Sequence, residues 1–260
     1  MALISVNNLT FSYSDNRVLK DISLAIEEGD FLGIIGPNGS GKSTLLRLLT
    51  NLLKPGSGSI SINGRDLDSY SLPNLARLIA VVPEETLVNF PFTVEELVTM
   101  GRTPYLSFLD SFTSRDREIA YEAMNKTGIF HLRHRFINEI SSGERQRAFI
   151  AQALAQETSI LVLDEPTAHL DINHQTEIFD LLRNLQAQRR LTILVVSHDL
   201  NLAALYCGKL LLLKEGTVFA LGSPAEVISA RNLESVYRAK VMVTENPAAK
   251  KPQISLLPKI

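Results

Sequence analysis

The segment Gly36-Pro37-Asn38-Gly39-Ser40-Gly41-Lys42-Ser43 has the spacing G-x-x-x-x-G-K-S/T. It lies between an apolar run, Phe31 to Ile35, and leucines at helical spacing, Leu45, Leu46, Leu48 and Leu49. Strand, glycine loop and helix in that order suit a phosphate. Glycines let the backbone approach an anion closely and adopt positive φ, which a Cβ penalises. Successive N–H groups and the helix N-terminus make an electropositive cradle. In such a cradle Lys42 reaches the β- and γ-phosphates and Ser43 holds Mg²⁺. A glycine-rich turn is the plain alternative; the full motif in its strand–loop–helix context favours the cradle.

Two further segments carry suitable chemistry. The apolar run Ile160 to Leu163 ends in Asp164-Glu165. A carboxylate at the end of a buried strand can complete a Mg²⁺ shell, and the next one can polarise an attacking water. Taken alone, many strands end in solvated acids. At Ile140-Ser141-Ser142-Gly143-Glu144, Ser141 and Glu144 have capping-box spacing. Serine and glycine at a capped helix start can bind a second anion such as a γ-phosphate, or can serve only as a cap.

The elements that position these residues follow from periodicity. Leu9, Phe11 and Tyr13 alternate with polar residues, as do Ile22, Leu24 and Ile26, which predicts strands. Ile60 and Ile62 alternate up to Asn63-Gly64, a hairpin signal. From Thr93 to about Gln156 the patterns are helical, with a capping box at Thr93 and Glu96. Ile160–Leu163 and Thr192–Val196 read as buried strands separated by a helix around Gln175–Gln188. Strands around Glu215-Gly216 form a hairpin, and Ser223-Pro224 starts another helix. The stretch from Pro247 to Ile260, with three prolines, reads as an irregular, solvated tail. The layout implies an α/β fold: a mostly parallel sheet, an antiparallel β portion at the front and a helical insertion in the middle.

Composition narrows the field. With 260 residues, 45% hydrophobic and 21% charged, the chain can bury a core and is not a disordered protein. One cysteine, Cys207, excludes a disulfide framework and reads as a small buried residue. His131 and His134 read as surface residues rather than metal ligands. A formal charge of −2 offers no global case for nucleic acid. Without a membrane-length apolar stretch or a secretory signal, the expected location is cytosolic.

The order of these motifs, with His198 after the Thr192–Val196 strand, resembles the nucleotide-binding subunits of ATP-binding cassette (ABC) transporters along nearly the whole chain. The resemblance implies a P-loop NTPase core at about 1–89 and 157–245, carrying the N-terminal antiparallel β subdomain. It implies a helical subdomain at about 90–156 and a tail at 246–260. It implies that Gly36 to Thr44 form the phosphate loop and that Tyr13 stacks on adenine. Asp164 then accompanies Mg²⁺ and Glu165 is the general base. Asp171 belongs to a loop at a dimer interface, and His198 senses the γ-phosphate. ATP and Mg²⁺ are the implied ligands. The implied partners are a second copy in a head-to-tail homodimer, integral membrane permease subunits and, indirectly, a substrate-binding protein. The chain would then sit on the inner face of the membrane through the permease.

Two positions depart from the family pattern. The signature usually reads L-S-G-G-Q or L-S-G-G-E; here Ser142 replaces the first glycine, while Ser141, Gly143 and Glu144 remain. After Val82-Pro83 the family has glutamine, and this chain has Glu84. Glu84 either coordinates Mg²⁺ in its ionised form or is neutralised and imitates glutamine. Gly101-Arg102-Thr103-Pro104-Tyr105 and the stretch His169 to Gln175 resemble the ATPases of importers for ferric siderophores, haem and cobalamin. DNA-maintenance and translation-linked cassette ATPases share the motifs, but the former carry coiled-coil insertions and the latter usually two cassettes. A low-turnover regulatory subunit is the third alternative, suggested by Glu84 and Ser142.

Overall fold

The computed structural model describes residues 2–84, 90–107, 110–189 and 191–258. It begins with strands β1 (Ile4–Tyr13), β2 (Asn16–Ile26) and β3 (Phe31–Ile35), then helix α1 (Lys42–Leu49), β4 (Ser57–Ile62) and β5 (Arg65–Asp66). Next come α2 (Leu72–Ala76), β6 (Ile79–Val82), α3 (Val94–Thr99), α4 (Ser114–Lys126) and α5 (Ser142–Ala155). β7 (Ile160–Asp164), α6 (Ile172–Arg189), β8 (Thr192–Val196), α7 (Leu200–Tyr206), β9 (Lys209–Lys214) and β10 (Thr217–Gly222) continue. The described elements close with α8 (Pro224–Val227), α9 (Ala230–Tyr237), β11 (Val241–Glu245) and β12 (Pro252–Leu256). They divide into two compact units, Met1–Ser69 with Gln186–Ile260, and Tyr70–Leu185. The expected boundary near residue 89 and the last two residues of the tail lie outside the described residues.

In the first unit β2, β1, β4 and β5 form an antiparallel sheet in that order. A second set of strands runs β10-β9-β3-β8, with β3 parallel to both β9 and β8 and β10 antiparallel at the edge. β3 and β8 are buried along their whole length, as continuous apolar strands covered on both faces must be. Both expected hairpins form. Asn63 and Gly64 have φ of 52° and 72°, and Glu215 and Gly216 have 48° and 81°, the paired positive values of a type I′ turn.

The alternation in β1 is not continuous. Ile4 and Val6 are buried, then the register shifts and burial resumes at Leu9 and Phe11. Asn8 takes φ 46° at the shift, and its side-chain amide donates to Asp21 across the pair (2.8 Å). A bulge explains how both sets face one core. Tyr13, expected on the face of Leu9 and Phe11, is instead 42% exposed at the strand end.

The tail also differs from its sequence reading. Residues 252–256 form β12, paired with β11 from Val241↔Leu256 to Glu245↔Pro252. Pro252 occupies the first position of the strand, where a missing N–H is tolerated.

In the second unit β6 and β7 run parallel, from Ile79↔Ile160 to Val82↔Leu163. Helices α3, α4 and α5 pack together, and both expected capping boxes, Thr93 with Glu96 and Ser141 with Glu144, are present. Between α3 and α4, Arg102 is buried. Its guanidinium donates to Asp116 (3.1 Å), to Glu157 (2.8 Å) and to the Ala155 carbonyl (2.7 Å), and lies 3.9 Å over the Tyr105 ring. The Gly101–Tyr105 string is therefore partly structural: a Cβ at Gly101 would collide with the Gln152 carbonyl. Removing one member of a buried ion network leaves its partners uncompensated. Arg102→Ala is expected to cost about 3–5 kcal/mol in a denaturant melt. Hydrogen bonds from the Thr113 hydroxyl and N–H, assisted by Arg102, hold the Asp116 carboxyl below its ordinary range. Its contribution is present above the unfolded carboxylate pKa and is lost as pH falls through the lower folded value.

Candidate nucleotide site

The glycine loop leaves β3 and enters α1. Gly36, Gly39 and Gly41 have φ of 150°, 76° and 101°. At Gly36 a Cβ would lie 2.5 Å from the Leu213 carbonyl oxygen and 2.7 Å from the Ser40 hydroxyl; at Gly41 it would lie 2.5 Å from the Leu19 side chain. Side chains are excluded there by both torsion and space. Pro37 is half-buried, Asn38 and Gly39 are exposed, and Ser40 is buried with no hydrogen-bond partner for its hydroxyl among the described residues. Gly41 is the N-cap of α1 and offers no side-chain acceptor to the helix start. Buried Lys42 folds back, donating to the carbonyls of Gly36 (2.9 Å) and Pro37 (3.1 Å). Ser43 and Thr44, half-buried, occupy the first turn. A cradle that a Cβ would fill, an orphaned buried hydroxyl and an ammonium held on loop carbonyls fit a phosphate group.

Two other expected residues belong to the same unit. Tyr13 packs edge-on against Phe11, with centroids 4.8 Å apart at 86°, and is otherwise open to solvent. His198 is exposed directly after β8. The β3–β8 register, ending at Ile34↔Val196, puts the turn holding His198 at the same sheet end as the glycine loop. That carboxyl end is where parallel sheets bind ligands. Asp199 fixes the turn by capping α7 through the N–H groups of Asn201 (2.8 Å) and Leu202 (2.9 Å).

The second unit carries the carboxylates. Asp164 ends β7 and Glu165 follows with φ 49°, a left-handed conformation for a non-glycine residue. Such strain concentrates at functional turns. Glu84 and Glu165 each lie two residues beyond the last pair of the parallel strands β6 and β7, Val82↔Leu163. Glu84 is exposed.

Ser141 and Ser142 are exposed at the start of α5. The Ser141 hydroxyl donates to Glu144 (2.8 Å) and accepts from its N–H (3.3 Å), so it is committed to the cap. The Ser141 N–H also donates to the Glu144 carboxylate (2.9 Å), and this bond together with that from the Ser141 hydroxyl holds the Glu144 carboxyl below its ordinary range. At the start of α6 Asp171 accepts from the His174 N–H (2.9 Å) and meets His174 Nδ1 with both oxygens (2.9 Å each), which likewise lowers its pKa. A Cβ at Gly143 would lie 2.6 Å from the His174 ring. His174 thus joins Asp171 to the α5 start. Its i, i+3 spacing from Asp171 at a helix start is the sequence signal for this pairing.

Cys207 is fully buried, which raises its thiol pKa. His131 and His134 are exposed. Among the described residues no helix is long and apolar enough to cross a membrane.

Comparison with known proteins bears on the whole arrangement. A family model described as ABC transporter matches residues 19–168. The chain is 38% identical over 254 residues to the ferric enterobactin transport ATP-binding protein FepC of Escherichia coli (strain K12), covering 98% of this chain and 94% of that one. It is similar to an inward-facing structure of a metal-chelate type ABC transporter, at 28% identity and TM-score 0.88, covering 100% of this chain and 99% of that one. It is also similar to the dimeric structure of a bacterial ABC transporter cassette, at 29% identity and TM-score 0.75, with 85% and 98% covered. The family match spans the glycine loop and the β7 carboxylates alike, and the chain belongs to the ABC transporter family as one of its ATP-binding subunits.

Proposed function

We propose that this chain hydrolyses ATP and thereby energises uptake of a metal chelate, such as a ferric siderophore, haem or cobalamin, through a separate membrane permease. The observation that carries the ATP reading is the glycine loop with its orphaned Ser40 hydroxyl and inward Lys42. Near-full-length similarity to a ferric enterobactin transport subunit and to a metal-chelate type transporter supports the cargo class.

In this reading Tyr13 stacks on adenine and residues 36–44 hold the phosphates. The hydroxyl of Ser43 and the carboxylate of Asp164 hold Mg²⁺. Such a hard-oxygen set suits an ion bound by one or two protein ligands plus substrate phosphates. Mg²⁺ supplies neutralisation of charge on the phosphate oxygens. Lys42 moves from the loop carbonyls to the phosphates. Glu165 takes a proton from the attacking water, and His198 contacts the γ-phosphate. Ser141, Ser142, Gly143 and Glu144 of one protomer face the phosphates of its partner in a head-to-tail dimer, with Asp171 near that interface. Residues 90–156 meet the permease, which holds the chain at the inner membrane face and communicates with a substrate-binding protein. No nucleic acid takes part.

Tyr13→Ala is expected to weaken ATP by about 1–3 kcal/mol, the scale of base–aromatic stacking, and to leave inorganic phosphate binding unchanged. Isothermal titration reads both. Glu84→Gln removes a charge just beyond β6, the strand that pairs with β7. Lower Mg²⁺ affinity with higher turnover is expected, and Mg²⁺ titrations of the ATPase rate test it. The reading as a whole is tested by affinity purification from membranes with phosphate-release assays. An integral membrane partner and faster release in its presence are expected. Absence of turnover with the partner bound would favour the regulatory alternative.

A further inference from the structure

Gly143 lies in the first turn of α5 and is not among the positive-φ glycines, so torsion gives no reason for glycine there. A glycine inside a helix costs about 1 kcal/mol relative to alanine. Space supplies the reason. A Cβ at Gly143 would lie 2.6 Å from Cδ2, 3.0 Å from Cγ and 3.3 Å from Nε2 of His174. One edge of the imidazole therefore rests against the α5 backbone. On its other edge Nδ1 meets both oxygens of Asp171 at 2.9 Å. An ionised carboxylate only accepts, so Nδ1 carries the proton and donates.

Neighbouring contacts fix where this ring stands. One turn along, Arg147 of α5 donates to Glu177 of α6 (2.6 Å), so residues 143 and 147 of one helix face 174 and 177 of the other. The Asn173 amide also donates to Glu177 (3.0 Å). Beside His174, the Gln175 amide donates to the carbonyls of Leu170 (3.0 Å) and Thr167 (3.4 Å), and the Ala168 N–H donates to the Glu165 carbonyl (3.0 Å). Residues 165–171 thus form a closed turn whose far end is held by the start of α6. The pieces that the ring joins are open: Ser141, Ser142 and Asp171 are exposed, and Ile172, which follows Asp171, is 80% exposed.

We propose that His174 is a positioning residue that holds the Asp171 loop and residues 141–144 together as one preset surface for the second copy of the chain. The inference rests on the ATP-driven dimer of the reading above. Asp171 ends a loop and Ser141 caps a different helix, so nothing local sets one against the other. Without the bond from the ring, both would have to be ordered at association, an entropy cost that preorganisation removes. The phosphate loop belongs to the other compact unit, so the loss falls on association and not on ATP binding by the monomer.

The test places His174→Leu and His174→Asn in the full chain carrying Glu165→Gln and follows ATP-driven dimerisation by light scattering over a protein dilution series. Leucine keeps a forked side chain against Gly143 and loses the donor; asparagine keeps the fork and an N–H for Asp171. A two-fold dimer holds the contact twice, so about 3- to 10-fold per hydrogen bond becomes about 10- to 100-fold weaker association for His174→Leu. His174→Asn is expected to stay within about 3-fold of the parent, less than the loss of one such bond. Helix propensity alone ranks leucine above asparagine, the opposite order. ATP titration of the dilute monomer should be unchanged in both. Gly143→Ala should weaken the dimer, and in the His174→Ala background, where the space is vacated, it should weaken it no further. Should the Gly143 variants fail to fold, the leucine–asparagine comparison stands without them. Parent-like dimerisation of His174→Leu, or equal losses in both His174 variants, would overturn the proposal. So would an undiminished effect of Gly143→Ala beside His174→Ala. If the parent itself stays monomeric in saturating Mg²⁺-ATP, the dimer reading fails, and amide exchange at Glu144, Arg145 and Ala168 decides on His174. Faster exchange in His174→Leu alone is then expected, and equal exchange in parent and both variants would overturn its positioning role.

Discussion

Glu165→Gln is expected to lower ATP turnover about 10²- to 10⁴-fold, the contribution of a positioned general base, while ATP binding persists. Glu165 follows the buried strand β7 and is held at φ 49°. Glutamine has the same shape and meets the same backbone penalty there, so the substitution isolates the loss of the proton acceptor. An unhydrolysed nucleotide should then hold two protomers together, since the signature segment of one chain complements the phosphate loop of the other in this reading. Phosphate release under saturating Mg²⁺-ATP measures the first effect, and light scattering with and without ATP the second. Turnover within a few-fold of wild type would remove Glu165 from the general-base role. A monomer at saturating ATP would count against the dimer unless the permease restored it.

Lys42→Ala is expected to weaken ATP about 10- to 100-fold, from the loss of a charged hydrogen bond worth about 1.5–3 kcal/mol. Its ammonium already sits within the loop, on the carbonyls of Gly36 and Pro37. Binding nucleotide exchanges those two neutral acceptors for phosphate oxygens, and a charge-assisted bond is the stronger of the two. Alanine also frees both carbonyls, so a melting curve must accompany the titration. Weaker ATP binding at unchanged stability assigns the effect to phosphate contact. Equal loss of both would assign Lys42 to holding the loop.

Much of the site was legible in the sequence because its requirements are local. Positive φ at Gly36, Gly39 and Gly41, the strand before them and the helix after them all lie within a few residues of Lys42. Capping boxes at Thr93 and Ser141 and turns at Asn63-Gly64 and Glu215-Gly216 are legible for the same reason: side chain and backbone meet within four positions. Periodicity could not show the bulge at Asn8, since alternation read from Leu9 onward is compatible with an unbroken strand.

The tertiary structure alone decided what depends on distant partners. Arg102 stands in the sequence only as part of the Gly101–Tyr105 string, and only the approach of Asp116, Ala155 and Glu157 makes it a buried hub. Gly143 reads as part of an anion-binding helix start, and the fold adds a second reason for glycine there, the His174 ring. The proline-bearing tail reads as irregular because a five-residue strand with Pro at its first position has a weak signal of its own. It becomes ordered through β11 and through Asn201, 53 residues away from Ile254 in the chain. The sequence by itself determined the phosphate chemistry, which is built from backbone torsions and nearest neighbours. The structure determined which remote side chains hold that chemistry in place, because long-range pairings leave no period to read.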